Sequence, residues 1–178
     1  MAIRRVLRMG HPQLRQRAEP VPPDMLGTEA FERLLTDMHD TLRDYGGIGL
    51  AAPQIGEGIR LAIIELPGGT TRYGEISAVP LTVFVNPEIE VLDGPTEGYW
   101  EGCLSVPGLR GFVERPQHVR VCYTDTAGEE QELVLDGFPA TVVQHEFDHL
   151  DGVLYIDRID DTRRLAFDEE FNRYVVPG

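Results

Sequence analysis

The sequence contains little cysteine and no long apolar run. Two cysteines in 178 residues, Cys103 and Cys122, cannot build a disulfide framework, and they suit a reducing cytoplasm. No stretch reaches the roughly 18 apolar residues that a transmembrane helix needs, so we expect no membrane partner. The first residues carry arginines without the apolar segment of a secretory signal, although a trimmed organellar presequence stays open. We therefore expect a cytoplasmic protein.

Basic residues are scarce as well, with 16 Lys and Arg against 30 Asp and Glu and a formal net charge of −14. Such a surface repels a phosphate backbone, so direct nucleic-acid binding is not expected, and solubility is the simplest reason for the acidity. The chain also shows no internal repeat and no low-complexity segment. Its length suits one domain with its own core, which we expect to span residues 1–178.

Three helices are predicted from apolar spacing and end signals. The first runs from Thr28 to Tyr45, with Thr28 as its cap and Gly46 at its end. The second runs from about Pro139 to Leu150 and stops at Gly152. The third is expected from about Asp161 to Tyr174.

The remainder is predicted to be rich in β-strands. Short apolar or alternating runs between Gly and Pro predict strands at Leu61–Leu66, Leu81–Asn86, Ile89–Leu92, Val119–Thr124 and Glu132–Leu135. The proline-rich residues 1–27 predict an irregular arm, and Pro67–Pro80 predicts a surface loop. The order indicates an α+β fold, in which antiparallel or mixed sheets pack around the second helix, with an N-terminal and a C-terminal helix beside them.

The clearest chemical signal is the run His145-Glu146-Phe147-Asp148-His149 on the second helix. Histidines four residues apart share one helix face, about 6 Å from each other, so both rings can reach one metal ion. Glu146 can take a proton from water at that metal. A helix with two surface histidines is the alternative interpretation of this motif.

A catalytic metal needs a third protein ligand, and two regions offer one. Upstream, Glu101-Gly102-Cys103-Leu104-Ser105 presents a thiolate in a glycine-containing turn. The alternative for Cys103 is a small buried apolar residue, a description that suits Cys122 better because Cys122 lies inside a regular strand. Downstream, the candidates are Asp151, Asp157, Asp160 and Asp161.

A glycine-rich segment, Gly46 to Gln54, follows the first helix. Its small residues allow a close approach of backbone or ligand. Gln54 could donate a hydrogen bond to an oxyanion. A glycine helix cap followed by a tight loop explains the same residues without any function.

Together, GIGLAAPQ, EGCLS and QHEFDHLDG occur in the order of the signature motifs of the peptide deformylase family, which this sequence resembles. The resemblance spans roughly residues 47–152 and weakens in Pro67–Pro80 and after Arg163. Leucine at position 104 is typical of the bacterial members of the family. It implies a single catalytic domain that hydrolyses the N-formyl group of methionyl nascent peptides, at the ribosome, and releases formate. The alternatives are a zinc endopeptidase, a formyl-peptide binder without catalysis and a metal-storage module.

The resemblance also implies a metal site. Cys103, His145 and His149 would bind one divalent metal, usually Fe²⁺ in this family, with Zn²⁺, Ni²⁺ or Co²⁺ able to substitute. Asp148 would pair with Arg115 through two parallel hydrogen bonds and hold the metal helix in register.

The remaining implied roles concern catalysis and substrate binding. Glu146 would be the general base, and Gln54 with the backbone N–H of Leu104 would stabilise the oxyanion. Ile48 and Gly49 would bind the substrate backbone as an added strand. The side-chain pocket for methionine would be lined by Tyr99, Phe138, Val142 and the ring of His145.

Overall fold

The computed structural model describes residues 2–71 and 74–176 and has the expected α+β fold. The strands are β1 Gly49–Ala51, β2 Leu61–Leu66, β3 Gly69–Thr71, β4 Gly74–Ile76, β5 Val79–Val91, β6 Thr96–Cys103, β7 Val106–Pro116, β8 His118–Thr124, β9 Glu130–Asp136 and β10 Leu165–Phe167. The helices are α1 Glu29–Asp44, α2 Phe138–Leu150 and α3 Asp168–Glu170, and a π-helical turn, Phe171–Val175, continues α3.

Two main sheets, both antiparallel, organise the chain. The larger has the strand order β1-β2-β5-β8-β9, and the smaller has the order β10-β7-β6. A separate hairpin joins β3 and β4. Strand β1 therefore lies at one edge of the larger sheet, where its outer side is not paired with another strand of that sheet.

The larger sheet separates two apolar cores because side chains alternate across a strand. Leu61 and Ile63 of β2 pack with α1, whereas Ala62 and Ile64 pack with α2. Helix α2 also contacts β7 of the smaller sheet. It is therefore the central helix that the sequence predicts, lying between the two sheets.

The ends of α1 agree with the capping signals. The Thr28 hydroxyl accepts a hydrogen bond from Phe31 N–H at 3.2 Å, and Gly46 has φ of +66° just after the helix. Helix α2 begins one residue before the predicted Pro139, and Gly152 follows it with φ of +73°. No described helix is both long and apolar enough to cross a membrane.

The long C-terminal helix predicted from Asp161 to Tyr174 is wrong for its first half. Leu165–Phe167 pairs as β10 with Leu109, Arg110 and Gly111 of β7. The edge of β7 supplies backbone partners there, and this tertiary contact overrides helical spacing. Helical structure in this region consists of a short 3-10 helix, Thr162–Arg164, before β10, and of α3 and the π-helical turn after it.

The strand predictions need three corrections. Leu81–Asn86 and Ile89–Leu92 belong to one long strand, β5, interrupted by a register shift between Val85 and Glu88. Asn86 lies at that shift with φ of +49°, and its side chain bonds the backbone of Val21 at 2.7 and 2.9 Å. The predicted loop Pro67–Pro80 contains the β3–β4 hairpin.

The third correction is that strands β6 and β7, which carry the Cys103 segment, were not predicted. Their glycines and prolines hide the alternation that identifies a strand. Gly98 shows why glycine is needed there, since a Cβ at this position would lie 2.1 Å from the Phe112 ring on the neighbouring strand.

Cys122 is also not the buried apolar residue that we expected. It lies in β8 as predicted, but its side chain is exposed. The alternation of β8 buries Val119 and Val121 and turns Cys122 to the other face.

Candidate active site

Helix α2 and strand β6 bring together three side chains that could hold a metal ion. The rings of His145 and His149 lie on one face of α2, with centroids 5.3 Å apart. Cys103 Sγ, at the end of β6, lies 3.3 Å from His149 Nε2. One ligand atom from each of Cys103, His145 and His149 falls within 4.8 Å of the others, and this is the only such group in the described part of the chain.

The β6–β7 hairpin fixes the thiol. Cys103 pairs with Val106, and Leu104 and Ser105 form the turn between them. The Ser105 carbonyl accepts a hydrogen bond from Met9 N–H at 2.7 Å, so the N-terminal arm holds the turn from outside. Cys103 therefore faces α2 from a tight hairpin, which is the turn that the glycine-containing segment indicated.

The downstream carboxylates do not approach this cluster. Asp151 binds Arg60 at 2.8 Å, and Asp157 forms an ion pair with Arg15. The arrangement therefore lacks the ligand after the helix on which the endopeptidase alternative depends.

A buried carboxylate holds the ring of His145. His145 Nδ1 lies 2.7 Å from Glu101 Oε2, which leaves Nε2 for the side of Cys103 and His149. Arg115 donates to both oxygens of Glu101, from Nε at 2.6 Å and from Nη2 at 3.1 Å. The side chains of Glu101 and Arg115 are only 6% and 4% exposed, so each needs the other as a charged partner.

The expected contact between Arg115 and Asp148 is present, but its form differs from the prediction. Arg115 Nη1 donates a single hydrogen bond to Asp148 Oδ2 at 2.8 Å, because the two parallel bonds go to Glu101. Arg158 donates to both oxygens of Asp148, at 2.6 and 3.2 Å. The sequence reasoning missed Glu101 and Arg158 as partners, although Glu101 begins the EGCLS motif.

The two histidines differ in charge. Burial opposes a proton on His145, but hydrogen bonds with Cys103 and Glu101 outweigh it and hold the pKa of His145 well above its usual value. Burial, helped by the charge of His145, lowers the pKa of His149 well below its usual value.

Glu146 is buried beside these histidines. Burial raises the pKa of Glu146 to about 7, so its carboxylate can accept and return a proton near neutral pH. Its Oε2 atom has no hydrogen-bond partner among the described residues. Gly49 lies against the other carboxylate oxygen of Glu146, since a Cβ at residue 49 would be 2.4 Å from Oε1. The glycine leaves room for the carboxylate.

Gln54, the last residue of the GIGLAAPQ motif, faces the cluster of Cys103, His145 and His149. Its Oε1 accepts a hydrogen bond from Ala51 N–H at 2.8 Å, which fixes the amide. Its Nε2 donates to Ser105 Oγ at 3.2 Å and lies 3.5 Å from Cys103 Sγ. The amide N–H₂ therefore points into the site, in the direction that an oxyanion donor requires.

These groups open into one cleft of about 920 Å³. Phe138, Val142 and Ile48 line it, as the substrate-binding prediction requires. Tyr99 is not among the lining residues and instead packs edge-on against Phe138, with ring centroids 5.5 Å apart. The Ile48 carbonyl already accepts a hydrogen bond from Glu65 N–H at 2.9 Å, so the N–H of Ile48 is the more available group for a substrate.

Comparisons with known proteins agree with the geometry. The family model described as polypeptide deformylase matches residues 3–165. A peptide deformylase of Leptospira biflexa is 43% identical over 97% of this chain and 96% of its own length. Peptide deformylase 2 of Pseudomonas syringae is 47% identical over 93% and 92%. The class I type b peptide deformylase from Acinetobacter baumannii, crystallised with Met-Ala-Ser, has a TM-score of 0.80 and 38% identity, over 89% of this chain and 99% of that one.

Proposed function

Because the chain belongs to the polypeptide deformylase family, whose members remove the N-formyl group from nascent peptides, we propose that the cluster of Cys103, His145 and His149 is its catalytic centre. The chain is a hydrolase of formyl-methionyl peptides. The observation that supports this site is that the three sequence motifs meet in one cleft around these ligand atoms.

The donor set fits a divalent metal ion. One thiolate and two imidazoles match the soft and borderline ligands that Zn²⁺ and Fe²⁺ accept, and Glu101 orients one imidazole from behind. When bound, the metal supplies a Lewis acid that acidifies water and polarises the formyl oxygen. We propose Fe²⁺ as the native ion on the family resemblance, with Zn²⁺, Ni²⁺ or Co²⁺ able to replace it.

Glu146 acts as the general base in this proposal. Its buried carboxylate, with a pKa near neutrality and one unpartnered oxygen, takes the proton of the attacking water. The same group then gives the proton to the leaving amine, and formate is released. Gly49 keeps the carboxylate in position by leaving the space that a side chain would fill.

Gln54 and Leu104 stabilise the charge that develops on the formyl oxygen. The hydrogen bond from Ala51 N–H orients the Gln54 amide, one of whose N–H groups bonds Ser105 Oγ; the other, 3.5 Å from Cys103 Sγ, is the one offered to the oxyanion. The backbone N–H of Leu104 belongs to the hairpin turn that directly follows Cys103, and we propose it as the second donor. Donors fixed in a buried site are more effective than donors that must reorient.

The substrate binds along the open edge of β1. The Ile48 N–H and the backbone of Gly49 add the peptide as a strand at this edge. Phe138, Val142 and the ring of His145 form the apolar pocket for methionine, and Tyr99 supports Phe138 from behind.

We propose further that residues 1–178 form a single catalytic domain, that the protein is cytoplasmic, and that it acts on nascent chains at the ribosome without binding nucleic acid directly. The family model matching residues 3–165 supports the first point, and the net charge of −14 supports the last.

Release of formate from formyl-Met-Ala-Ser by Fe²⁺-loaded protein prepared without oxygen tests the function. Acetyl-Met-Ala-Ser is the matched control, since the extra methyl group should not fit around the reacting carbon. We expect formate release and no acetate release. Cleavage of internal peptide bonds, or no formate from metal-loaded protein, would overturn the proposal.

A further inference from the structure

Two arginines at the active-site cleft have no charge partner among the residues that the structure describes. Lysine is absent from the sequence, so all 16 basic residues are arginines. Of the fifteen in the described part of the chain, eleven have a carboxylate oxygen within 4.0 Å. Arg164 and Arg173 lie over aromatic rings. Only Arg5 and Arg8 have neither kind of partner among the described residues, and both line the cleft.

This distribution is informative because acids outnumber arginines almost two to one in this chain. Almost every other guanidinium finds a carboxylate, whereas the two exposed ones at the cleft do not. Their charges therefore remain available to a ligand that enters the cleft.

The backbone of the N-terminal arm fixes both arginines close to the catalytic segments. Leu7 N–H donates to the Gln54 carbonyl at 2.7 Å, and Met9 N–H donates to the Ser105 carbonyl at 2.7 Å, so Arg8 lies between two anchored residues. Arg5 precedes Val6, whose side chain is buried against α1. The arm is thus a wall of the cleft, positioned by the segments that hold the oxyanion donors.

Arg110, the third arginine that lines the cleft, is paired with a carboxylate. Arg110 Nε donates to Asp168 Oδ1 at 2.8 Å, and Asp168 also lines the cleft. The charge of Arg110 is neutralised by Asp168, so Arg110 adds little net attraction for an anion. Glu101, another acid of the cleft, is matched in turn by Arg115. Glu146, the third acid that lines the cleft, is buried, so the exposed charge that remains unpaired among the described residues of the cleft is positive.

We propose that Arg5 and Arg8 bind a carboxylate on the substrate peptide downstream of the formyl-methionine, and so make the enzyme favour substrates that carry an acidic group there. The inference rests on the proposed function. A peptide with its formyl group at the metal ligands and its backbone along Ile48 and Gly49 directs its later residues toward the rim of the cleft. Two arginines in an otherwise acidic chain suit a single carboxylate better than an extended phosphate backbone.

The carboxylate could belong to an acidic side chain or to the end of a short peptide, and amidated substrates separate the two. The assay compares kcat/KM for formyl-Met-Ala-Glu-amide and formyl-Met-Ala-Gln-amide, with formyl-Met-Ala-Ser as free acid and as amide. The enzymes are the Ni²⁺-loaded wild type, the double variant Arg5→Gln/Arg8→Gln, and Arg33→Gln. Arg33 lies on α1 outside this cleft, so it controls for the loss of one charge.

We expect the wild type to favour the Glu peptide over the Gln peptide by about two- to fivefold at low salt, in the range of exposed ion pairs. The ratio should approach one in the double variant and in high salt, and should persist in Arg33→Gln. A free-acid preference without a Glu preference would assign the site to the terminal carboxylate. Because a ratio is measured, a general loss of stability in a variant cancels.

A binding measurement gives a second readout that does not depend on turnover. Calorimetry of the two amidated formyl-peptides with Glu146→Gln protein should show the same preference, lost when Arg5 and Arg8 are replaced. Equal kcat/KM for all peptides in the wild type, or an unchanged ratio in the double variant, would overturn this inference while leaving deformylation intact. Absence of turnover with every peptide would instead refute the proposed function.

Discussion

Arg115 and Asp148 join the metal helix to the strand region that carries the thiol, through a hydrogen bond of 2.8 Å between Nη1 and Oδ2. The same guanidinium binds Glu101, which in turn holds the ring of His145. One arginine therefore connects β7, β6 and α2, and all its partners are largely buried. We expect this contact to keep the proposed metal ligands in register rather than to take part in the chemistry.

Replacing Arg115 by Ala should lower the free energy of unfolding by roughly 3 kcal/mol, because it removes the guanidinium from buried Glu101 and one of the two arginines from Asp148. Metal affinity should fall as well. Chemical denaturation and metal analysis measure the two effects. Arg158→Ala is the control. The Arg158 side chain, which binds Asp148, is 51% exposed, so this substitution should lower the free energy of unfolding by less than about 1 kcal/mol. Unchanged melting and metal content in Arg115→Ala would contradict the proposed role.

Cys103→Ala should fail to retain the one metal ion per chain that we propose, since it removes one of the three proposed protein ligands. Cys122→Ala is the matched control, because that thiol is exposed and lies in β8, outside the ligand group. Plasma emission spectrometry of dialysed protein gives the stoichiometry. Full occupancy in Cys103→Ala would refute the ligand assignment.

Glu146→Gln should retain the metal and the fold and lose about 10² to 10⁴ in turnover, because the isosteric amide cannot accept a proton. Formate release and metal content are measured on the same preparation. If this variant turned over formyl-Met-Ala-Ser at nearly the wild-type rate, Glu146 could not be the base.

Gly49→Ala should reduce turnover on the order of 10²-fold while the metal stays bound. The added Cβ would lie 2.4 Å from Glu146 Oε1 and must displace the carboxylate. Gly58→Ala serves as the control, since its nearest neighbour would be 4.0 Å away. Equal activity of the two variants would show that the close approach of Gly49 and Glu146 has no catalytic importance.

Fe²⁺-loaded protein should lose activity in air, and Ni²⁺-loaded protein should keep it. The reason is a thiolate ligand beside a redox-active ion, which oxygen can convert to oxidised sulfur or ferric forms. Activity is followed over hours in aerated buffer, with metal content checked at each point. Stable activity of protein that still contains iron would argue against this prediction.

The sequence by itself determined the elements that depend on local signals. Helix α1 begins after Thr28 and ends before Gly46. Both signals can be identified from sequence because a capping side chain and a left-handed glycine affect only the adjacent turn of the helix. The i, i+4 spacing of His145 and His149 likewise fixes two metal ligands on one helix face, since it depends only on helix geometry.

Only the tertiary structure decided which distant groups meet. Leu165–Phe167 forms a strand rather than a helix because β7 offers it a backbone edge. Arg115 gives its two parallel bonds to Glu101 rather than Asp148 because strand pairing sets the residues of β6 and β7 side by side. Strand pairing and long-range ion pairs depend on contacts between segments far apart in the chain, and no local pattern encodes such contacts.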